Sequence, residues 1–155
     1  MLENHFRLPT SDFRLSRGAG VLLVDRRGWI LLQLRDGAGV YPHHWATVGG
    51  AVEPGETAEE AARRELIEET GYHVGAEAGA LLFGAEVTLE LPDGPRVATL
   101  FYAPYDEIQP IACHEGERIT FVDPATLHTL PIYPGQEGLI LATLREVGRR
   151  ARVEN

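Results

Sequence analysis

Several features that define other classes of protein are missing from this sequence. Cys113 is the only cysteine, so the chain cannot form an internal disulfide, and we expect a reducing compartment such as the cytoplasm. No apolar run approaches the roughly 18 residues that a membrane span needs. Residues 1–5 lack a basic start followed by an apolar core. We therefore expect neither a secretory signal nor a membrane partner.

Basic side chains are also scarce. Lys and Arg number 14 against 23 Asp and Glu, which gives a formal net charge of −9 at pH 7. Proteins that bind nucleic acid through its phosphates need the opposite balance, so we expect no nucleic-acid partner. A small anionic substrate would be repelled at long range unless a bound metal ion reversed the local field.

The order of the predicted elements indicates a single α/β domain over residues 1–155. At 155 residues and 44% apolar content the chain is long enough for a core. Hydrophobic patterning predicts helices at 57–70 and 136–150, a short helix opening at 123–126, and strands at 20–24, 29–34, 45–48, 81–91, 97–103 and 118–122. The first two strands read as a hairpin, and so do the fourth and fifth. This order suits a mixed β-sheet with helices on both faces.

The first helix has signals at both ends. Thr57 and Glu60 fit a capping box, in which the Thr57 hydroxyl accepts from the Glu60 amide and the Glu60 side chain reaches back. Gly71 suits the left-handed position that ends a helix. The sequence therefore predicts a helix that starts at Thr57 and ends at Thr70.

Three carboxylates share one face of this helix. Glu65, Glu68 and Glu69 stand at i, i+3 and i+4, a spacing at which like charges repel and weaken the helix. A cation among them would remove that penalty, and magnesium, or manganese in its place, prefers such oxygen ligands. Gly49 and Gly50 would let the backbone approach a ligand closely and leave the Gly49 carbonyl free to face the metal.

Glu56 and Arg64 add a charge pair beside these carboxylates. Glu56 lies just ahead of the helix and eight residues before Arg64, so the two can pair and hold the loop against the helix. Such a pair would orient the metal ligands without touching the substrate.

Together these residues resemble the Nudix box, G-x5-E-x7-R-E-U-x-E-E-x-G-U, where U is a bulky aliphatic residue. The matching positions are Gly50, Glu56, Arg64, Glu65, Leu66, Glu68, Glu69 and Gly71. Tyr72 stands where the family usually has an aliphatic residue, and Val48 replaces the usual proline before the two glycines. The chain thus resembles MutT-like members of the Nudix hydrolase family.

The resemblance implies an α/β/α sandwich and magnesium-dependent hydrolysis of a diphosphate bond in a nucleoside diphosphate linked to another group. Carried over to this sequence, it implies Glu65, Glu68, Glu69 and the Gly49 carbonyl as metal ligands, Glu56, Arg64, Glu65 and Glu115 as catalytic residues, and Arg35, Gly49 and Gly50 as substrate-binding residues. Arg35 resembles an arginine that many members keep near the substrate. Glu115 resembles a loop glutamate that joins the metal site or serves as the base. Either Glu65 or Glu115 would take the proton from the attacking water.

The substrate stays open at this stage. Residues 87–90 lack the proline of ADP-ribose pyrophosphatases and the tyrosine of dinucleoside polyphosphate hydrolases. A MutT-type nucleoside triphosphate pyrophosphohydrolase is the leading hypothesis, with a nucleotide-sugar or related pyrophosphatase as the alternative. A nucleotide-sensing module without catalysis is the alternative of another class, although such modules often lose box glutamates that are intact here. The sequence allows a monomer or a homodimer.

Overall fold

The computed structural model describes residues 16–155, and residues 1–15, which include the segment used to judge a secretory signal, lie outside it. In chain order the elements are β1 (Ser16–Val24), β2 (Ile30–Leu34), β3 (Trp45–Ala51), α1 (Ala58–Thr70), β4 (Leu82–Leu91), β5 (Gly94–Pro104), β6 (Arg118–Val122), a short 3₁₀ helix (Pro124–Thr129) and α2 (Gln136–Glu154). None of the helices in the described range is long and apolar enough to cross a membrane.

The strands form one mixed sheet in the order β4-β5-β1-β3-β2-β6. β1 and β5 run parallel, whereas the other neighbouring strands run antiparallel. The mixed sheet predicted from the order of elements is confirmed. That the single domain extends over all of residues 1–155 stays a prediction.

Side chains of the central strand β1 alternate between the two faces of the sheet. Val21 and Leu23 pack on one face against Leu66 of α1. Leu22 packs on the other face against Ile140 of α2. Each of these five residues is at most 1% exposed. One helix therefore covers each face, which confirms the predicted α/β/α sandwich.

The predicted hairpin of β1 and β2 is wrong in its extent. The two strands pair only at Val24 and Ile30, next to the turn, and β3 lies between them along the rest of the sheet. β3 fits there because Gly20 and Gly49 face each other across the β1–β3 pair. A Cβ added at Gly20 would lie 2.5 Å from the Val48 carbonyl oxygen, so only glycine permits this approach.

The ends of α1 agree with the sequence prediction. Thr57 caps the helix, and its hydroxyl accepts a hydrogen bond from the Glu60 amide at 3.1 Å. Gly71 ends the helix with φ of 76°, and its N–H donates to the Ile67 carbonyl at 2.8 Å. The reciprocal half of the capping box, from the Glu60 side chain to Thr57, does not occur among the described hydrogen bonds. One polar cap at each end is enough to set these boundaries.

Four elements are longer than predicted, and one of them is β3, which continues to Ala51 beyond the predicted end at residue 48. β1 begins at Ser16, which pairs with Arg96, and β5 begins at Gly94, which pairs with Leu91 of β4. α2 continues to Glu154, beyond the predicted end at residue 150. Hydrophobic patterning finds the buried middle of an element and misses ends that backbone hydrogen bonds alone extend.

Candidate active site

Three carboxylates converge where α1 crosses the centre of the sheet. Glu65 and Glu69 lie on α1, one turn apart, and Glu115 comes from the loop between β5 and β6. One oxygen of each carboxylate lies within 4.8 Å of the others. Glu69 is buried with 3% of its surface exposed, whereas Glu115 lies at the surface. The helix and the loop thus place three acids around one point.

Burial and mutual repulsion set the charge state of this carboxylate cluster. Burial, a hydrogen bond with the Glu115 carboxyl, and the charges of Glu115 and Glu65 raise the pKa of Glu69 to about 9. Burial also raises the pKa of Glu65, although Arg64 opposes this effect. Glu69 Oε2 is buried and has no hydrogen-bond partner within residues 16–155. A buried oxygen without a partner is costly, so the cluster gains from any added cation.

The carboxylate cluster fits a hard divalent metal ion. Three carboxylates supply the oxygen ligands that magnesium and manganese prefer, and Glu69 Oε2 is an oxygen to which no group in the described part of the chain donates. Glu65, Glu69 and Glu115 are the residues that would hold such an ion.

Glu68 lies outside the carboxylate cluster. Its side chain is 57% exposed, and its Oε2 accepts from Arg64 Nη1 at 3.3 Å. Although Glu68 and Glu69 are neighbours on the predicted acidic face, only Glu69 points into the protein. Ligation by Glu68 and by the Gly49 carbonyl stays a prediction.

Gly49 and Gly50 of β3 lie directly beneath α1. The Gly49 N–H faces the Glu69 carboxyl and partly opposes the rise in its pKa. A Cβ added at Gly50 would lie 2.5 Å from Cδ of Glu65. Gly50 therefore makes room for the Glu65 carboxylate, whereas a Cβ at Gly49 would collide with the Ala19 carbonyl oxygen of β1. The sequence prediction of close backbone approach did not distinguish these two roles.

Arg64 links the loop before α1 to the carboxylates. Its Nε and Nη2 donate to the Glu56 carboxylate at 2.8 and 2.9 Å, and its Nη1 donates to Glu65 Oε1 at 2.9 Å. Nη2 also donates to the Ala51 carbonyl at 3.0 Å. The hydrogen bonds that Glu56 accepts from Arg64, together with one from the Glu53 amide, lower the pKa of Glu56 to about 2. The arginine fixes the position of Glu65 from the side away from Glu69.

A cleft of about 150 Å³ runs from the carboxylate cluster along the sheet to the start of α2. Its floor contains Gly18, Gly20 and Gly49, side by side on β1 and β3. Its apolar lining comes from β4, from α2 and from the residues before α2, namely Leu89, Leu91, Tyr133 and Leu139. Its polar lining includes side chains from the end of β2, from β3 and from the start of α2, namely Gln33, Arg35, Thr47 and Gln136. The cleft therefore offers a flat floor with an acidic end and an apolar end.

Arg35 stands between this cleft and a second cavity of about 230 Å³. Its guanidinium lies 5.0 Å from the ring centroid of Tyr133, and Nη2 donates to the Val40 carbonyl at 3.0 Å. Arg35 Nε is buried and has no hydrogen-bond partner in the described part of the chain. The arginine predicted near the substrate thus borders the cleft and keeps donors available.

Gln136 presents its amide to the same cleft. Its Oε1 accepts from the backbone amide of Thr47 at 2.8 Å and lies 3.3 Å from the Thr47 hydroxyl. The backbone amide of Thr47 can only donate, so the side-chain oxygen of Gln136 must face it. The side-chain NH₂ group of Gln136 is therefore the part that can bond to a ligand. Sequence reasoning missed Gln136, which opens a helix whose start carries no motif.

Gln33 and His114 were also missed. Gln33 interrupts the apolar run of β2 and is only 7% exposed, a pattern that could have drawn attention to it because a buried amide needs partners. The His114 amide donates to the Glu69 carbonyl at 2.9 Å. His114 offers no such signal, because its contact depends on the path of the loop.

Comparison with known proteins agrees with this geometry. The NUDIX domain family matches residues 14–142, and the chain belongs to the Nudix hydrolase family. Nucleoside triphosphatase NudI from Escherichia coli K12 is 48% identical over 50 residues, and that from Salmonella agona is 52% identical over the same length. These matches cover 32% of this chain and 36% of each relative, so the chain spans about a third of the curated relatives it matches.

Solved structures share the fold over most of the chain. A MutT protein from Methanosarcina mazei has a TM-score of 0.72 at 20% identity, covering 85% of this chain and 94% of its own. The NUDIX domain of Shewanella oneidensis NrtR, solved with ADP ribose, has a TM-score of 0.73 at 16% identity, with coverages of 90% and 92%. A Caenorhabditis elegans Ap4A hydrolase, solved as a binary complex, has a TM-score of 0.68 at 21% identity, with coverages of 89% and 98%. At these identities the likeness shows the fold alone.

Proposed function

We propose that this protein hydrolyses a diphosphate bond in a nucleoside triphosphate or a related nucleoside diphosphate derivative, in a reaction that requires magnesium or manganese. One observation carries the proposal: Glu65, Glu69 and Glu115 meet at one end of a cleft, and Oε2 of the buried Glu69 has no hydrogen-bond partner among residues 16–155. Similarity to the NudI nucleoside triphosphatases over the matched 50 residues supports this substrate class.

The residues of the carboxylate cluster have separable tasks. Glu65, Glu69 and Glu115 would hold the metal ion, and Glu68 is a predicted additional ligand. When bound, the ion supplies positive charge against the diphosphate oxygens and lowers the pKa of a water molecule. Glu65 or Glu115 accepts the proton that the attacking water loses. Attack at phosphorus mainly requires position and charge stabilisation, so no serine or cysteine nucleophile is needed.

The rest of the cleft suits a nucleoside. Leu89, Leu91 and Tyr133 offer apolar and aromatic surface for a base. Gln136 offers amide donors to an acceptor atom on that base, because Thr47 occupies its oxygen. Arg35 borders the acidic end, where its free donors suit a phosphate oxygen.

A triphosphate is the leading substrate because the second cavity beside Glu115 has a polar lining. Arg35, Asp36 and Gln33 border it, and the remaining lining residues include Ala38, Gly39 and Gly116 without any aromatic ring. Such a lining suits a small polar leaving group better than a second nucleoside. A nucleotide sugar is the alternative, since a sugar hydroxyl also bonds to these polar groups.

A nucleotide sensor without catalysis is the second candidate. The fold is shared with the NrtR domain that was solved with ADP ribose. The acidic positions of the Nudix box are nevertheless all glutamates in this sequence. Three acids gathered around one point, two of them from the box, suit metal-assisted hydrolysis better than binding alone.

A product screen tests the proposal. Purified protein is incubated with a panel of nucleoside triphosphates, nucleotide sugars, ADP-ribose and dinucleoside polyphosphates, with magnesium, with manganese, or with EDTA, and products are separated by ion-exchange chromatography. We expect metal-dependent release of a nucleoside monophosphate and pyrophosphate from at least one triphosphate. Tight binding of one nucleotide without turnover would support the sensor, and turnover in EDTA would contradict the metal requirement.

A further inference from the structure

We propose that Gln33 is a positioning residue that holds the Glu115 carboxylate in the cluster, an inference that rests on the proposed function. Gln33 lies near the end of β2 and is only 7% exposed. Its Nε2 donates to the Glu115 backbone carbonyl at 2.7 Å. The side chain of Gln33 borders both the cleft and the second cavity. It is thus a buried amide bonded to the residue that completes the carboxylate cluster.

The loop that carries Glu115 wraps tightly around the end of β2. The Glu117 amide donates to the Leu34 carbonyl at 3.0 Å. Gly116 has φ of 79°, and a Cβ added there would lie 2.6 Å from the Leu34 oxygen and 3.0 Å from Cγ of Gln33. Only glycine allows the loop to come this close, so the Gln33 side chain meets the backbone of residues 115 and 116 directly.

The same loop is attached to α1 on its other side. The His114 amide donates to the Glu69 carbonyl at 2.9 Å, and His114 Nδ1 lies 3.1 Å from the Glu68 carbonyl. The loop therefore bridges the helix that carries two of the acids and the strand that carries Gln33. Residue 114 is fixed by the helix, and residue 115 is fixed by Gln33.

The position of Glu115 needs such a restraint because the residue is exposed and lies close to two other acids. One of its carboxylate oxygens lies within 4.8 Å of oxygens of Glu65 and Glu69, so the three acids repel one another when all are ionised. A surface side chain on an unrestrained loop would turn away into solvent. A bond to its backbone keeps the carboxylate near the others before the metal ion arrives, and preorganised ligands bind more tightly.

Two variants of Gln33 remove the hydrogen bond with little change in volume. Gln33→Met lacks the donor, and Gln33→Glu keeps the shape and replaces the donor with an oxygen. Gln109→Met is the matched control, because Gln109 lies in the same loop between β5 and β6 and its Nε2 also donates to a backbone carbonyl, that of His73 at 2.9 Å, which does not belong to the carboxylate cluster. Manganese affinity is measured by electron paramagnetic resonance, and folding by thermal unfolding in EDTA.

We expect manganese dissociation constants to rise by about 10-fold in both Gln33 variants and to stay within about twofold of the parent in Gln109→Met. An unchanged affinity in a folded Gln33 variant would overturn the proposal. If Gln33→Met melts below the assay temperature, Gln33→Glu supplies the result.

A double-mutant cycle separates positioning from a general effect on the fold. If Gln33 acts through Glu115, then Gln33→Met changes manganese affinity by less than about twofold in a Glu115→Ala background. If Gln33→Met weakens manganese binding in the Glu115→Ala background as much as it does in the parent, then Gln33 acts on the whole carboxylate cluster. That result would overturn its specific role. Metal affinity is measured without a substrate, so the result stands even if the product screen finds no turnover.

Discussion

Two groups of carboxylates lie close together at α1, and their pKa values are shifted in opposite directions. Glu56 accepts two hydrogen bonds from Arg64, and its pKa is lowered to about 2. Glu69 is buried beside Glu115 and Glu65, and its pKa is raised to about 9. Among the described residues, the chain therefore supplies a cation to Glu56 and none to Glu69.

The difference separates the acid that ties the loop before α1 to the helix from the acids of the carboxylate cluster beside it. Arg64 satisfies Glu56 and one oxygen of Glu65, and it ties the loop before the helix in place. Glu69 keeps an oxygen without a partner in the described structure. A site that the chain leaves uncompensated costs stability, and such a cost is typical of functional positions.

The largest expected effect is the loss of turnover when the buried carboxyl group of Glu69 is replaced. Glu69→Gln should lower turnover by about 1,000-fold or more, because the metal loses a buried ligand. The same change should raise the free energy of unfolding of the metal-free protein by about 1 kcal/mol or more, since no buried carboxylate remains to be desolvated. Kinetic assays and urea unfolding in EDTA measure the two effects.

Glu68→Gln is the matched control for this prediction. Glu68 precedes Glu69 on the same helix, but its side chain is 57% exposed, so the stability of the metal-free protein should hardly change. Equal effects of the two substitutions would contradict the distinction between the buried and the exposed acid.

A smaller effect is expected from weakening the compensated pair. Arg64→Lys keeps the charge but cannot donate to both Glu56 oxygens and to Glu65 at once. We expect turnover to fall by about 10-fold, together with a lower melting temperature. Arg63→Lys is the control, because Arg63 is the neighbouring arginine and bonds to Glu59 and to backbone carbonyls away from the cleft. Loss of activity in both variants to the same degree would show that the Arg64 contacts do not matter for catalysis.

The smallest effect is the pH dependence of stability. Glu69 has a reference pKa of 4.5 and a folded pKa of about 9, so between these values the unfolded chain releases a proton that the folded protein keeps. Unfolding free energy in EDTA should therefore fall as the pH rises through this window, by on the order of 1 kcal/mol for each pH unit relative to Glu69→Gln. Saturating magnesium should remove the decline. Identical pH profiles for parent and variant would refute the assignment to Glu69.

Local signals were sufficient to predict α1 and the identity of its acids. Thr57 and Gly71 mark the helix ends through their own hydrogen bonds, and the helical repeat places Glu65, Glu68 and Glu69 on one side. The same repeat cannot decide which acid is buried. That depends on Arg64, which bonds to Glu68 at the surface, and on the glycines of β3 beneath the helix.

Strand order and the supporting residues of the site could not be read from the sequence. The β1–β3 pair depends on the mutual approach of Gly20 and Gly49, which are distant in the chain. Gln33 reaches its partner Glu115 across a separation of 82 residues. Contacts of this kind become visible only when the whole sheet is assembled.

The parallel pairing of β1 with β5 has a consequence for the order of events during synthesis. Ser16 and Arg96 are bonded across 80 residues, and β5 ends at Pro104. A ribosome will have released the acidic helix long before the strand that lies beside β1. The nascent chain therefore carries its acids before it has a cleft, and nucleotide binding should begin only when the residues of β5 have emerged.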